Sequence, residues 1–190
     1  MRGIGRILPL AAGLMLLTAC GEAAEPVQEA LEFRTALLSA DACAFTAQVT
    51  ADMGERVYEF TLDCGYDPET NGAALTVTAP EAIAGIAATV DGEASSVAFD
   101  GVALELGTLA GGRLAPLELP QVLGEAWAYG YVESQAREGD GWLVTYRSGY
   151  DDEELLVLTA FDGGMVPLRA EVYADGVLAL SAELADFSAA

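Results

Sequence analysis

"CAFTAQVTADMGERVYEFTLDC", residues 43–64, alternates apolar and polar residues on either side of Met53-Gly54 and carries a cysteine at each end. Alternation of this kind marks a strand with one buried face, and a short glycine turn between two such runs predicts a β-hairpin. If Met53 and Gly54 form a two-residue loop, residues facing one another have numbers that sum to 107, a sum that Cys43 and Cys64 satisfy. The loop-flanking pair Asp52/Glu55 is then hydrogen-bonded. The cysteines consequently fall at a non-hydrogen-bonded site, with Cα atoms about 4.5 Å apart and within reach of a disulfide. One face gathers Phe45, Ala47, Val49, Tyr58, Phe60 and Leu62 with both cysteines, and the other collects Thr46, Gln48, Thr50, Glu59, Thr61 and Asp63. The expectation is a Cys43–Cys64 disulfide worth about 3 kcal/mol on the chain-entropy model; the alternative is two free thiols in a core. A redox role would ask for a Cys-x-x-Cys arrangement, which the sequence lacks.

Upstream, Arg2 and Arg6 precede an apolar run from Ile7 to Leu17. A basic head and a short apolar segment read as a signal peptide, since a membrane-spanning helix needs about 20 residues. Leu17-Thr18-Ala19-Cys20, followed by Gly21, resembles the lipobox of bacterial lipoproteins. That resemblance implies a signal peptide over residues 1–19 and a Cys20 joined to diacylglycerol as the new N-terminus. The alternative is an ordinary secretory signal that ends at a cysteine by chance. Residues 20–26 become a lipidated start and tether, of which the five residues from Glu22 to Pro26 reach no more than about 18 Å. Two acyl chains are enough to hold a protein stably on a membrane.

Removal of residues 1–19 leaves 171 residues, enough for one domain with an adequate core, placed here at 27–188. All eight basic residues are arginines, and the six that remain against thirty acids leave a charge of −24. No basic stripe exists to neutralise phosphates, so nucleic acid is excluded as a partner. The chain has neither histidine nor lysine, which removes Ser-His-Asp and Cys-His sites, the commonest metal ligand and Schiff-base chemistry together. The enzymatic alternative left is an extracytoplasmic hydrolase using paired carboxylates.

From Val27 to Leu38 the apolar residues Val27, Ala30, Leu31, Phe33, Leu37 and Leu38 recur at helical spacing, opposite Gln28, Glu29, Glu32, Thr35 and Ser39. Packing on a sheet is the expected role of this helix, because its polar face is acidic; contact with a membrane is the alternative. Arg34 lies inside the apolar side, where its stem can pack while its head reaches water. Further strands are expected near 74–79, 86–90, 97–99, 102–106, 142–147, 154–161, 166–173 and 177–184. For the last hairpin a three-residue loop, Ala174-Asp175-Gly176, pairs Val172 with Leu178, Ala170 with Leu180 and Leu168 with Ala182, whereas a two-residue loop would mix the faces. "PLELPQVLGEAWAYGY", residues 116–131, breaks the alternation. Pro120 can open a helix, with Val122, Leu123, Ala126 and Trp127 forming a stripe that lies over the concave side of a curved sheet.

Three motifs are discarded. "DPETNG" imitates the start of a calcium loop through Asp67, Glu69, Asn71 and Gly72, but the twelfth position is Thr78 where a bidentate glutamate is needed; it reads as a turn. "DDEE", from Asp151 to Glu154, reads as a solvated turn, and "LAGGRL" lacks the lysine and hydroxyl residue of a P-loop. No metal site is expected.

The lipobox, the helix behind it, the stapled first hairpin, a long antiparallel meander with a helix laid inside it, and the phrases "CAFTAQVTADMGERVYEFTLDC", "PEAIAGI" and "LRAEVYADG" together resemble uncharacterised bacterial lipoproteins of the LolA/LolB-like superfamily, including the germination lipoproteins of spore formers. The resemblance covers most of Val27 to Phe187. It implies a mainly β fold with α, an unclosed half-barrel of curved antiparallel sheet covered by one or two helices. It also implies a hollow face that binds acyl chains in carriers and serves as a platform for a protein partner in other members. A periplasmic carrier has no lipid of its own, so the lipobox points away from carrier traffic. Under that fold the candidate ligand-lining residues are Phe45, Tyr58, Phe60, Leu62 and Trp127, with a helix-filled core as the alternative. The expectation is a non-catalytic binding protein, anchored by its lipid in the outer leaflet of the cell membrane. It would hold a lipid-like, acyl-chain ligand or dock an envelope or cell-wall protein, with no cofactor beyond the covalent diacylglycerol on Cys20.

Overall fold

The computed structural model describes residues 27–52, 56–91, 94–98, 114–148 and 154–190. The expected signal peptide, Cys20, the tether up to Pro26, the strand near 102–106 and most of "DDEE" and "LAGGRL" lie outside the described residues. Two helices and ten strands follow in chain order: α1 (Gln28–Leu38), β1 (Cys43–Asp52), β2 (Val57–Asp67), β3 (Gly72–Ala79), β4 (Ala87–Asp91), β5 (Ala94–Ala98), α2 (Leu119–Tyr129), β6 (Tyr131–Glu138), β7 (Gly141–Ser148), β8 (Leu155–Phe161), β9 (Pro167–Ala174) and β10 (Val177–Ala189).

Every strand pairs antiparallel with its neighbours in one sheet of order β5-β4-β3-β2-β1-β10-β9-β8-β7-β6. Each half of the chain forms a meander of five strands, and the two meanders meet where β1 pairs with β10. Among the described residues the outermost strands β5 and β6 do not pair with each other, so the sheet is an unclosed barrel. Its curvature follows from one helix. α2 touches β2 and β3 on one wing and β7 on the other. β3 and β7 are six steps apart in the sheet order, about 29 Å if flat, whereas eleven helical residues measure only about 16 Å. The sheet must curl around α2 for both contacts to exist.

In the first hairpin the faces are as the alternation predicts, while the register is different. Asp52 faces Val57, partners sum to 109, and four residues connect the strands. A shift of two along the sum leaves parity intact, so Cys43, Phe45, Ala47, Val49 and Ala51 are buried while Ala44, Gln48 and Asp52 are exposed. The same shift corrects the disulfide. Cys43 faces Tyr66, Cys64 faces Phe45, and both cysteines are free and buried. Diagonal neighbours on one face typically have Cβ atoms up to about 7–8 Å apart, against the roughly 4 Å of a bridge.

The last hairpin also departs from expectation. Asp175 and Gly176 alone form the loop, with φ of 53° and 74°, as a type I′ turn requires. Val177 faces Ala174 and Leu178 faces Tyr173, and then a bulge shifts the register so that Leu180 faces Val172 and Ala182 faces Ala170. The extra residue restores to the core the apolar set that a two-residue loop alone would turn outward. "DPETNG" is a turn: Asp67 Oδ1 accepts the backbone N–H groups of Glu69 at 2.8 Å and Thr70 at 3.2 Å.

β6 went unanticipated because its inward positions are Val132 and Gln135, separated by a bulge. Gln135 is 4% exposed and hydrogen-bonded through both its oxygen and its nitrogen. Its Oε1 accepts the Ala30 N–H at 2.9 Å, and its Nε2 donates to Glu29 at 2.6 Å. α1 has no capping side chain of its own, so Gln135 satisfies one of the open donors of its first turn. The hydrogen bond from Gln135 also holds the Glu29 carboxyl below its ordinary pKa. Of the apolar stripe of α1, Ala30, Phe33 and Leu37 are buried, whereas Leu31 and Leu38 are exposed.

Candidate functional site

The five residues expected to line a hollow separate into two groups. Phe45, Phe60, Leu62 and Trp127 are core residues, and Leu62 and Trp127 are wholly buried. Tyr58 is exposed at the start of β2, its ring stacked on Phe60 with centroids 6.2 Å apart. Trp127 projects from α2 into the place where a ligand cavity would be. Phe33, Phe45 and Phe187 surround it at centroid distances of 5.9, 5.6 and 6.1 Å, two of them close to edge-on. Its indole N–H donates to Thr159 Oγ1 at 3.0 Å, so the polar edge of Trp127 itself is satisfied. The hollow is therefore filled by the covering helix, giving the helix-filled core rather than a lined cavity at these positions. Leu119, Leu123 and Ala126 complete the plug.

Arg34 is the largest departure from the sequence reading. Its Nε donates to Trp127 O at 3.0 Å, and a terminal nitrogen donates to Gly130 O. These carbonyls belong to the end of α2, where acceptors lack intrahelical partners and the helix dipole is negative. The guanidinium thus caps α2 from α1 instead of reaching water, and burial lowers its pKa. The signal was present in the sequence as an arginine inside an apolar stripe.

The thiols are chemically quiet. Burial pushes Cys43 and Cys64 up to about 12, far from the thiolate form that nucleophilic chemistry needs. Tyr66 and the wholly buried Tyr146 are likewise raised, chiefly because burial disfavours the phenolate.

With the interior occupied, open space among the described residues lies on the surface, and one such space is at the rim. A cleft of about 710 Å³ lies where α1 begins, α2 ends, β6 starts and β7 finishes, lined by Val27, Leu31, Tyr129, Tyr131, Val132 and Arg147 among others. Leu31, Tyr129 and Tyr131 are 45%, 53% and 69% exposed. The Tyr129 hydroxyl donates to Pro68 O, which fixes its ring at the cleft wall. Arg147 bridges Glu133, at 2.5 Å, and Glu154, and Ser148 donates to Glu125 at 3.3 Å. The cleft is amphipathic: apolar and aromatic on the α1 and α2 side, ionic and hydrogen-bonding on the β7 side. Such a surface can hold an apolar chain that carries a polar head.

No family model matches the chain, and no curated protein matches it in sequence. Several solved structures are similar to it. One is a LolA superfamily protein from Nitrosomonas europaea, at 13% identity over 86% of this chain and 93% of that one, with a TM-score of 0.44. Another is a putative outer membrane lipoprotein-sorting protein domain from Vibrio parahaemolyticus, at 11% identity over 85% and 91%, with a TM-score of 0.46. A third is an uncharacterized conserved protein from Thermus thermophilus, at 12% identity over 86% and 87%, with a TM-score of 0.45.

Proposed function

We propose that this chain is a lipid-anchored, extracytoplasmic binding protein that holds a lipid-like ligand in its rim cleft and performs no catalysis. Residues 1–19 act as the signal peptide, Cys20 carries the diacylglycerol in the outer leaflet of the cell membrane, and the domain from Val27 onward sits close to that surface. The observation that carries the binding reading is the amphipathic cleft beside Leu31, Tyr129 and Tyr131, open while the hollow of the half-barrel is packed shut. Exposed tyrosines supply apolar rings with a polar tip, suited to acyl chains near a head group, and the Glu133–Arg147–Glu154 triad offers both charges to a polar head.

Affinity purification from native membranes, followed by lipid and protein mass spectrometry, tests this. The expected result is co-purification of a lipid class that a Leu31→Ser/Tyr129→Ala variant recovers several-fold less. Recovery of an envelope protein and no lipid above that of an unrelated lipoprotein would replace the ligand with a protein partner, and recovery of neither would sink the reading.

A further inference from the structure

Beyond the identity of a ligand, the position of the rim relative to the first described residue fixes an orientation. We infer that the surface formed by Val27, Leu31, Leu38, Tyr129 and Tyr131 lies against the bilayer that holds the Cys20 anchor, so that the rim cleft opens onto lipid. The inference rests on the anchoring proposed above.

Seven residue steps separate Cys20 from Val27, at most about 25 Å of chain. A lipid on Cys20 keeps Val27 within that distance of the head groups, and Val27 itself lines the cleft. Val27, Leu31 and Leu38 fall on one side of α1 at spacings of four and seven residues. Leu31 and Leu38 are each 45% exposed, an apolar stripe that the sheet leaves uncovered. Tyr129 and Tyr131 extend it across the end of α2 onto the edge strand β6. Tyrosine is enriched at membrane interfaces because its ring enters the acyl boundary while its hydroxyl remains wet, an arrangement open to Tyr131, whereas Tyr129 offers its ring alone because its hydroxyl donates to Pro68 O. The charge of the processed chain narrows the lipid: with residues 1–19 removed it is −24 and repelled by anionic head groups, and the Glu133–Arg147–Glu154 triad beside Tyr131 suits a zwitterionic one.

The test uses the full lipidated protein in vesicles of dibrominated phosphatidylcholine, whose bromines quench tryptophan within the acyl region. Tyr131→Trp and Leu31→Trp are compared with Gln48→Trp, which lies on the outer face of β1, five strands away in the sheet order. Emission from the native tryptophans is subtracted with the parent protein. We expect quenching at positions 131 and 31 at least twofold greater than at position 48. Protein that floats with the vesicles yet is quenched equally at all three positions overturns the orientation while leaving the anchor standing. Protein that does not float removes the anchor, and the orientation falls with it.

Discussion

Gly124 of α2 lies flat against the ring of Tyr66 on β2: a methyl group at that glycine would stand 2.5 Å from ring carbon Cε2. The helix approaches the sheet this closely only because the side chain is absent. Gly124→Ala gains up to about 1 kcal/mol in helix propensity but forces the ring or the helix to move, an overpacking that costs about 1–3 kcal/mol. A net loss of stability is expected in urea titration. Addition of Tyr66→Leu should relieve it, so that the double variant is less destabilised than the sum of the singles. Additive losses would show that the ring and the glycine do not constrain each other.

Thr159→Val keeps the shape of a wholly buried side chain and removes the acceptor of the Trp127 indole N–H. An orphaned buried donor costs about 1–3 kcal/mol. Trp127→Phe in the Thr159→Val background takes away the orphan, so the valine substitution should cost less there than in the parent. Chemical denaturation of the four proteins reads the coupling directly.

Arg34→Met preserves the packed stem and strips the donors from Trp127 O and Gly130 O. Loss of charged hydrogen bonds at a helix end is worth about 1.5–3 kcal/mol, and the end of α2 should gain hydrogen exchange in step with it. Arg34→Lys restores the charge but not the planar fork, so it should recover only part of the loss.

Alkali should destabilise the fold through the buried acids. The Cys43 and Cys64 thiols have folded pKa values of about 12 against a reference of 9.0. Raised folded values favour the native state fully below pH 9; that contribution is lost as pH rises toward 12, because the unfolded chain ionises first. The midpoint of urea unfolding is therefore expected to fall across that window, and a Cys43→Ala/Cys64→Ala protein should show a shallower decline. At pH 8 iodoacetamide should label neither thiol in folded protein and both after unfolding in guanidinium. Unfolded protein that labels only after reduction would establish a bridge instead.

The sequence reading succeeded where a single period governs and failed where an extra residue intervenes. Which side of β1 and β2 faces the core was legible, because loops of two and of four residues preserve the same parity; which residues stand opposite one another was not, and with that register went the disulfide. In β10 the bulge between Leu178 and Leu180 reconciles a two-residue turn with an apolar inner face, a combination that alternation alone rejects. β6 was missed because its inward places hold a valine and a glutamine three positions apart across a bulge, which breaks the alternation of a strand. Phe45, Leu62 and Trp127 were correctly placed facing inward. What occupies the space in front of an inward residue depends on a helix folded from elsewhere in the chain: the stripe of Val122, Leu123, Ala126 and Trp127 marks that helix, but the strand alternation does not record how fully it fills the hollow.

The seam between β1 and β10 also bears on assembly. Ala42 and Ala190 exchange backbone hydrogen bonds at 3.1 Å in both directions, so residues nearly 150 positions apart close the middle of the sheet. Pairings so distant in sequence make folding slow. Until residue 190 has been synthesised, the first meander is left with an uncovered flank at β1. The two halves can fuse only once β10 is available to β1, so a truncation that removes β10 should yield aggregation rather than a smaller version of the same molecule.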